Sequence, residues 1–189
     1  MKLNSKNNGI TNMQPKPITL KLTQEELDFI QNMAIDIHGC PVRSRGRSYD
    51  EVYASTKAGV ILEFALERQG AKKNPRPWSP ADRESYAWDV LWNNKKTEVK
   101  RKRFLTDDRT MWYSWDDPSY VKTFLKNIDL VKQLIVGDYR EIGEDTYEVK
   151  WMLMTDVGRD FKNYINKSMY NLGQMYYNHK QDPNCNYLM

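Results

Sequence analysis

The chain of 189 residues holds only two cysteines and two histidines, and neither pair supports a chemistry. Cys40 and Cys185 stand far apart and show no metal-ligand or redox spacing, which sets aside cysteine zinc sites and dithiol oxidoreductases. Nothing suggests a secreted disulfide scaffold, so both read as structural thiols of a reducing cytoplasm. His38 and His179 have no convincing partner and read as ordinary residues. No apolar run approaches the roughly 20 residues of a membrane span, which excludes a membrane as partner. The polar start, Met1 to Asn8, has no apolar segment of a secretory signal. No internal repeat is evident. An excess of one charge is also missing: 29 Lys and Arg face 25 Asp and Glu, for a net charge of +4. That balance admits a polyanionic partner without demanding one. The expectation is a soluble protein of the cytoplasm.

What is present suits one domain with a real core. Residues 1–17 are polar and contain Pro15 and Pro17, so they read as a tail, and residues 18–189 as one domain. Ile18 to Leu22 alternates like a strand. Thr23 and Glu26 make a capping box before Leu27, Ile30, Met33, Ala34 and Ile37, with Gly39 as the stop. Ser48 caps a second helix from Tyr49 to Gln69, ended by Gly70. Lys72 to Pro80 reads as a proline-rich loop, and Thr106 to Pro118 as irregular. Ser119 caps a helix to Asn127. Leu130 to Val136 and Tyr147 to Met154 read as strands, with Gly137 to Asp145 as the loop between them. A helix is expected from Asp160 to Met169, then a frayed end. Helices flanking a central mixed sheet make the class α/β or α+β.

The densest information lies between Trp88 and Lys100. Asn93 and Asn94 suit a two-residue type I′ turn, because Asn tolerates positive φ. Closing the turn there pairs Trp92 with Lys95, Leu91 with Lys96, Val90 with Thr97 and Asp89 with Glu98. Side chains alternate, so Glu98 and Lys100 share a face while Val99 points away with Trp88, Val90 and Trp92 toward a core. Asp89 and Glu98 are then expected about 5 Å apart and repel. A divalent cation between them would remove that penalty. The competing reading is a screened charge cluster in water beside Lys96 and Lys100.

A second acid falls on the long helix. Val52, Thr56, Gly59, Glu63 and Leu66 form one stripe, which sets Glu63 among small and apolar residues, where a carboxylate needs a partner or a cation. Gly59 is expected to let the helix approach a strand. The helix is apolar almost all round, however, so the alternative is a Glu63 that faces solvent.

Asp89 followed by Glu98, Val99 and Lys100 resembles the metal-binding signature of the PD-(D/E)XK nucleases. The likeness extends to Gly59 through Gly70, which looks like that family's first helix with Glu63 as its glutamate. The helix of 119–127 and the strand of 130–136 match its next two elements. The resemblance covers roughly residues 50–136, and 137–189 is an extension. Trp88 stands where a proline commonly precedes the aspartate. The resemblance implies a restriction-endonuclease-like core and a Mg2+-dependent deoxyribonuclease. Asp89, Glu98 and the Val99 carbonyl would hold Mg2+ or Mn2+, and Glu63 a second ion or a metal-bound water. Lys100 would orient or help deprotonate the attacking water and offset phosphate charge. Crowded carboxylates raise their own pKa values, so activity should rise as pH passes above neutrality.

Basic residues supply the substrate side. Lys95, Lys96, Lys100, Arg101, Lys102 and Arg103 cluster on or beside the hairpin. Arg43, Arg45, Arg47, Lys72, Lys73 and Arg76 flank the long helix. Such groups neutralise phosphates and make binding salt-dependent. Trp112, Tyr113 and Trp115 suit either stacking on unpaired bases or packing. The expected partner is DNA, with a homodimer where two strands are cut. The Asn-, Lys- and Tyr-rich make-up hints at an AT-rich genome such as a phage's, which would place the protein in the host cytoplasm. Two other readings stand beside this one. A non-catalytic nucleic-acid-binding or assembly protein on a nuclease-like scaffold would bind DNA regardless of chelator. A structural interaction module using the aromatic C-terminal half would show no salt-sensitive DNA affinity.

Overall fold

Two capping boxes start the helices that cover the sheet. The computed structural model describes residues 13–76, 79, 81–102, 104–105, 113–115, 124–167, 175–178 and 180–188. Strand β1 (Ile18–Lys21) leads into helix α1 (Gln24–His38). The Glu26 N–H donates to Thr23 Oγ1 (3.3 Å) and the Thr23 N–H to Glu26 Oε2 (2.7 Å), which satisfies two otherwise orphaned donors. A single turn, α2 (Pro41–Ser44), connects to α3 (Tyr49–Glu67), where Ser48 and Glu51 repeat the same exchange. α3 ends as expected near Gly70, whose φ of 101° lets the Ala71 N–H reach back to the Leu66 carbonyl (3.0 Å).

The strands then follow as β2 (Lys72–Lys73), β3 (Val90–Trp92), β4 (Lys95–Arg101), β5 (Tyr113–Trp115), β6 (Gln133–Gly143), β7 (Thr146–Asp156), β8 (Ile165–Lys167), β9 (Met175–Tyr177) and β10 (Cys185–Tyr187). The main sheet runs β1-β7-β6-β4-β3-β2, with β10 also paired to β7. β4 and β6 run parallel, and the other pairs are antiparallel. β5, β9 and β8 form a small second sheet. The chain is therefore a single α+β domain built on a mixed sheet. α1 and α3 pack through Ile30, Val60, Phe64 and Leu66 on the face that carries Val90, Trp92, Val99 and Ile135. The opposite face buries Leu134, Val136 and Met152 against Phe124, Phe161 and Tyr177. β6 is thus covered on both sides, which is why Leu134 to Val136 read as a continuous apolar run. Among the described residues no helix is long and apolar enough to cross a membrane.

Several expectations are corrected. Gly137 does not end its strand. β6 continues to Gly143, and the turn lies at Glu144 and Asp145, where Asp145 takes a φ of 48°. Gly137 sits at a bulge, and a Cβ there would lie 2.7 Å from Trp151 Cε3. The glycine makes room for a tryptophan across the strand. Gly59 is exposed, and a Cβ at its position would meet nothing within 4 Å, so it plays no part in close packing. Lys72 and Lys73 form an edge strand rather than a loop. The helix expected from Asp160 is a short 3-10 turn (Arg159–Tyr164) followed by β8. Asn163, Tyr164, Ile165 and Asn166 are poor helix formers, and pairing with β9 captures Ile165 to Lys167 instead. The segment after Pro183 is not frayed over Cys185–Tyr187, which extends the main sheet as β10. Of the helix expected over 119–127, residues 124–126 are helical and 119–123 lie outside the described residues.

Candidate active site

The hairpin folds in the expected register. Trp92 pairs with Lys95, Leu91 with Lys96 and Val90 with Thr97. Asn93 and Asn94 take φ of 53° and 60°, the two left-handed residues of a type I′ turn. Val90, Trp92, Val99 and Trp88 are all buried, as the apolar back face requires.

Asp89 departs from its expected place. The ladder ends at Val90 and Thr97, although the Asp89 N–H still donates to the Thr97 carbonyl (2.9 Å). Beyond that point β3 offers no acceptor for the Val99 N–H. The Asp89 carboxylate takes over that role, accepting the bond at Oδ2 (2.7 Å). Asp89 is therefore tied to the backbone of the Glu98–Lys100 segment rather than standing across from Glu98 in the ladder. Asn74 fixes the approach. Its N–H donates to the Asp89 carbonyl (3.0 Å), and its side-chain amide donates to the carbonyls of Glu84 (2.9 Å) and Trp88 (3.1 Å).

Four charged groups converge here. Glu98 is 8% exposed and makes a short ion pair with Lys100 through Oε1. Its other oxygen, Oε2, is buried and accepts no hydrogen bond from the described residues. Burial, and then the like charge of Asp89, push the Glu98 carboxyl up to about 7, against the pull of Lys100. Burial pushes Glu63 well above the usual carboxylate range, and Asp89 adds to this while Lys73 and Lys100 oppose it. Asp89 repels both glutamates and Lys100 attracts both, so Asp89 and Lys100 each lie within electrostatic reach of Glu63 and of Glu98. Glu63 is half-buried, within electrostatic reach of Asp89 and Lys100.

Glu63 and Asp89 also line a cleft of about 640 Å3 between α1, α3 and the segment before β3. Arg43, Lys73 and Arg76 line it with them. Lys73 stands over the rings of Phe29 (3.7 Å) and Phe64 (4.6 Å) and 3.7 Å from Glu67. The remaining basic residues lie elsewhere. Arg45 and Lys72 are exposed. Arg47 is held by the carbonyls of Ser44 (3.0 Å) and Arg43 (3.2 Å) and by Ser55 Oγ (3.0 Å). Lys96 donates to both Glu84 oxygens (2.7 and 2.6 Å). Arg101 is committed internally. It donates to the fully buried Asp138 (2.9 Å) and the Tyr139 carbonyl (2.9 Å) and stacks on the Tyr139 ring (3.6 Å). The Lys102 N–H donates to the Gly137 carbonyl (2.9 Å). Arg103, Trp112 and His179 lie outside the described residues. His38 makes an edge contact with Tyr49.

Sequence reasoning missed Phe29, Tyr86 and Asn74, all of which line the cleft. Phe29 carried a signal, being a large aromatic off the apolar stripe of α1. It missed Asp138 too, which accepts from Arg101 and from the N–H groups of Phe104 and Leu105 (both 2.9 Å) and so anchors the chain leaving β4.

No protein-family model, curated protein or solved structure matches the chain. Among the described residues no three His, Cys, Asp or Glu side chains stand together as a ready metal cage. The donor chemistry nevertheless fits a hard cation. Glu98 offers a buried oxygen without a hydrogen-bond partner among the described residues, Asp89 uses one oxygen on Val99, and both are carboxylates. Mg2+ is commonly held by one or two carboxylates completed by waters and substrate phosphate rather than by an all-protein cage.

Proposed function

We propose that this protein is a metal-dependent nuclease that hydrolyses DNA phosphodiester bonds at Glu63, Asp89, Glu98 and Lys100, in the manner of the PD-(D/E)XK nucleases. The observation that carries the reading is the orphaned, buried Oε2 of Glu98 beside Lys100, with Asp89 in electrostatic reach of both Glu98 and Glu63. The element order supports it: α3, three antiparallel strands β2-β3-β4, a crossover with helical residues at 124–126, and β6 parallel to β4. Asp89 and Glu98 are the groups that would hold Mg2+ or Mn2+, with the Val99 carbonyl as a further donor and Glu63 at the margin. Such an ion, when bound, lowers the pKa of its water and acts as a Lewis acid on the phosphate.

The chain's own residues do the rest. Asp89, fastened to the Val99 N–H, holds β3 and β4 in register at the site. Lys100 holds Glu98 in place and carries the positive charge that a phosphate displacement needs nearby. Arg43, Lys73 and Arg76 supply further positive charge along the cleft. A homodimer would serve cutting of both strands, and the site of action would be the cytoplasm, the host's if the chain is viral.

The test is incubation of plasmid and oligonucleotide DNA with Mg2+, Mn2+ or EDTA, beside Lys100→Ala. Cleavage that needs the metal and falls about 100-fold or more in the variant supports the reading. Cleavage that survives EDTA, or is unchanged in the variant, overturns it. The second reading is a non-catalytic nucleic-acid-binding or assembly protein. It is favoured by Arg43, Lys73 and Arg76, which line a cleft able to take phosphates without a metal. It requires DNA binding that ignores both the chelator and Lys100→Ala.

A further inference from the structure

We propose that the cleft beside Glu63 and Asp89 takes one unpaired nucleotide of a DNA strand, so that the ligand is a single strand or an unpaired end and not the interior of an intact duplex. The inference rests on the nuclease reading for its orientation, and on the cleft alone for the ligand. At about 640 Å3 the cleft falls among small-ligand sites, which span about 300–1,000 Å3. A nucleotide paired and stacked within a duplex cannot enter such a cleft unless it first leaves the stack.

The lining brings aromatic rings and cations together with three carboxylates, Asp36, Glu63 and Asp89. Phe29 on α1 is 37% exposed, and Tyr86, just after a 3-10 turn (Arg83–Ser85), is half-buried. Arg43, Lys73 and Arg76 line the same space, with the Lys73 ammonium 3.7 Å from the centroid of the Phe29 ring. Aromatic faces interleaved with cations are how unpaired strands are held, the bases stacking whatever their identity while the cations take the phosphates. Arg76 is shared with Asp82 (3.0 Å) at a half-exposed pair, a weak contact that a phosphate can displace. A phosphate bound by these cations lies next to Glu63 and Asp89, which line the same cleft. A strand end can thread in this way, whereas a base-paired nucleotide would first have to leave its stack, at a cost of a few kcal/mol.

The experiment is fluorescence anisotropy of the full chain in Ca2+, which is to support binding without turnover. The probes are a short labelled thymidine oligonucleotide, a closed hairpin duplex and thymidine monophosphate. The oligonucleotide should bind more tightly than the duplex. Phe29→Ala and Tyr86→Ala should each weaken it between about 5-fold and 150-fold. Arg76→Ala should weaken it and reduce the salt slope by about 0.7. Ile35→Ala, on the exposed side of α1, should change nothing. Phe29→Leu keeps the packing on Phe64 and should weaken binding as well, which separates loss of stacking from loss of fold. Equal affinity for duplex and single strand overturns the proposal, as do unaltered Phe29→Leu and Tyr86→Ala variants. A mononucleotide that binds as tightly as the strand assigns the cleft to free nucleotides and overturns it too. Strand binding that depends on Phe29 and Tyr86 without any Mg2+-dependent cutting keeps this inference and removes the nuclease reading. Equal cutting of covalently closed duplex and single strand does the reverse.

Discussion

Replacing Glu98 by glutamine should make the metal-free protein more stable at alkaline pH, while removing whatever function the carboxylate serves. Glu98 is 8% exposed, and its carboxyl is pushed up to about 7 by burial and by Asp89. In the unfolded chain the same group titrates near 4.5. Between those values the folded protein holds a proton that the unfolded chain has released, so stability falls as pH rises through the interval. The gap corresponds to at most about 3 kcal/mol. Glu63, raised well above its ordinary value by burial and Asp89, pulls in the same direction. Glutamine keeps the shape and cannot ionise. Its carbonyl can still accept from Lys100, which retains part of that contact.

Urea unfolding at pH 5 and at pH 8, in EDTA, gives the decisive comparison. At pH 5 the two proteins should agree within about 1 kcal/mol, and at pH 8 the variant should be ahead by about 1–3 kcal/mol. A Glu98→Gln protein that is weaker than the parent at pH 8 by more than at pH 5 would refute the reasoning. It would mean that the Glu98–Lys100 pair is a net stabilising contact and that the raised carboxyl is not a cost of the site. Mg2+ provides the complement. If the cation takes the proton's place, it should raise the melting temperature of the parent at pH 8 and leave Glu98→Gln unmoved.

Three further outcomes test the scaffold. Gly137→Ala should cost about 1–3 kcal/mol in urea unfolding, because its Cβ would meet Trp151 Cε3 at 2.7 Å and the Lys150 carbonyl oxygen at 2.9 Å, one of which is backbone. A neutral result would mean that β7 yields there. Asn94 has a φ of 60°, so Asn94→Val should lose about 1–2 kcal/mol while Asn94→Gly holds or gains; equal stability of the two would discredit the type I′ turn. Asp138→Ala leaves the Arg101 guanidinium and two N–H groups without their acceptor and should cost about 3–5 kcal/mol, with hydrogen exchange at Phe104 and Leu105 rising first.

Local chemistry explains which parts of the fold can be read from the chain. The capping boxes at Thr23 and Ser48 and the turn at Asn93 and Asn94 are decided by a few adjacent residues, and each forms where the residues say. Gly137 and the segment after Asp160 are decided at a distance. Gly137 resembles a strand terminator until Trp151 is known to lie opposite, and Ile165 resembles a helical residue until Tyr177 is known to pair with it. Glycine has two uses, freedom in φ and room for a neighbour, and only the partner strand says which one applies. Gly70 and Gly137 illustrate one each, while Gly59 illustrates neither.

The site divides along the same line. Strand alternation is enough to put Glu98 and Lys100 on one face, and their ion pair bears this out. Alternation also predicts Asp89 opposite Glu98, and there it fails, because pairing has already ended at Val90. What replaces it is a side chain acting as backbone: the Asp89 carboxylate accepts the Val99 N–H that the shortened strand leaves unpaired. This bond draws Asp89 toward the Glu98–Lys100 segment with a geometry that period-two counting cannot supply. It also assigns Asp89 two tasks that are separable by substitution. Asn at position 89 can still accept from Val99 through its carbonyl oxygen, but it carries no charge. Asp89→Asn should therefore keep the fold, lower the pKa values of Glu63 and Glu98 by removing the like charge that helps to raise both, and weaken any divalent-cation effect on stability. If carboxylate titration followed by NMR showed Glu98 unmoved in that variant, the electrostatic convergence on Asp89 would be wrong, and with it the reason for treating these four residues as one site.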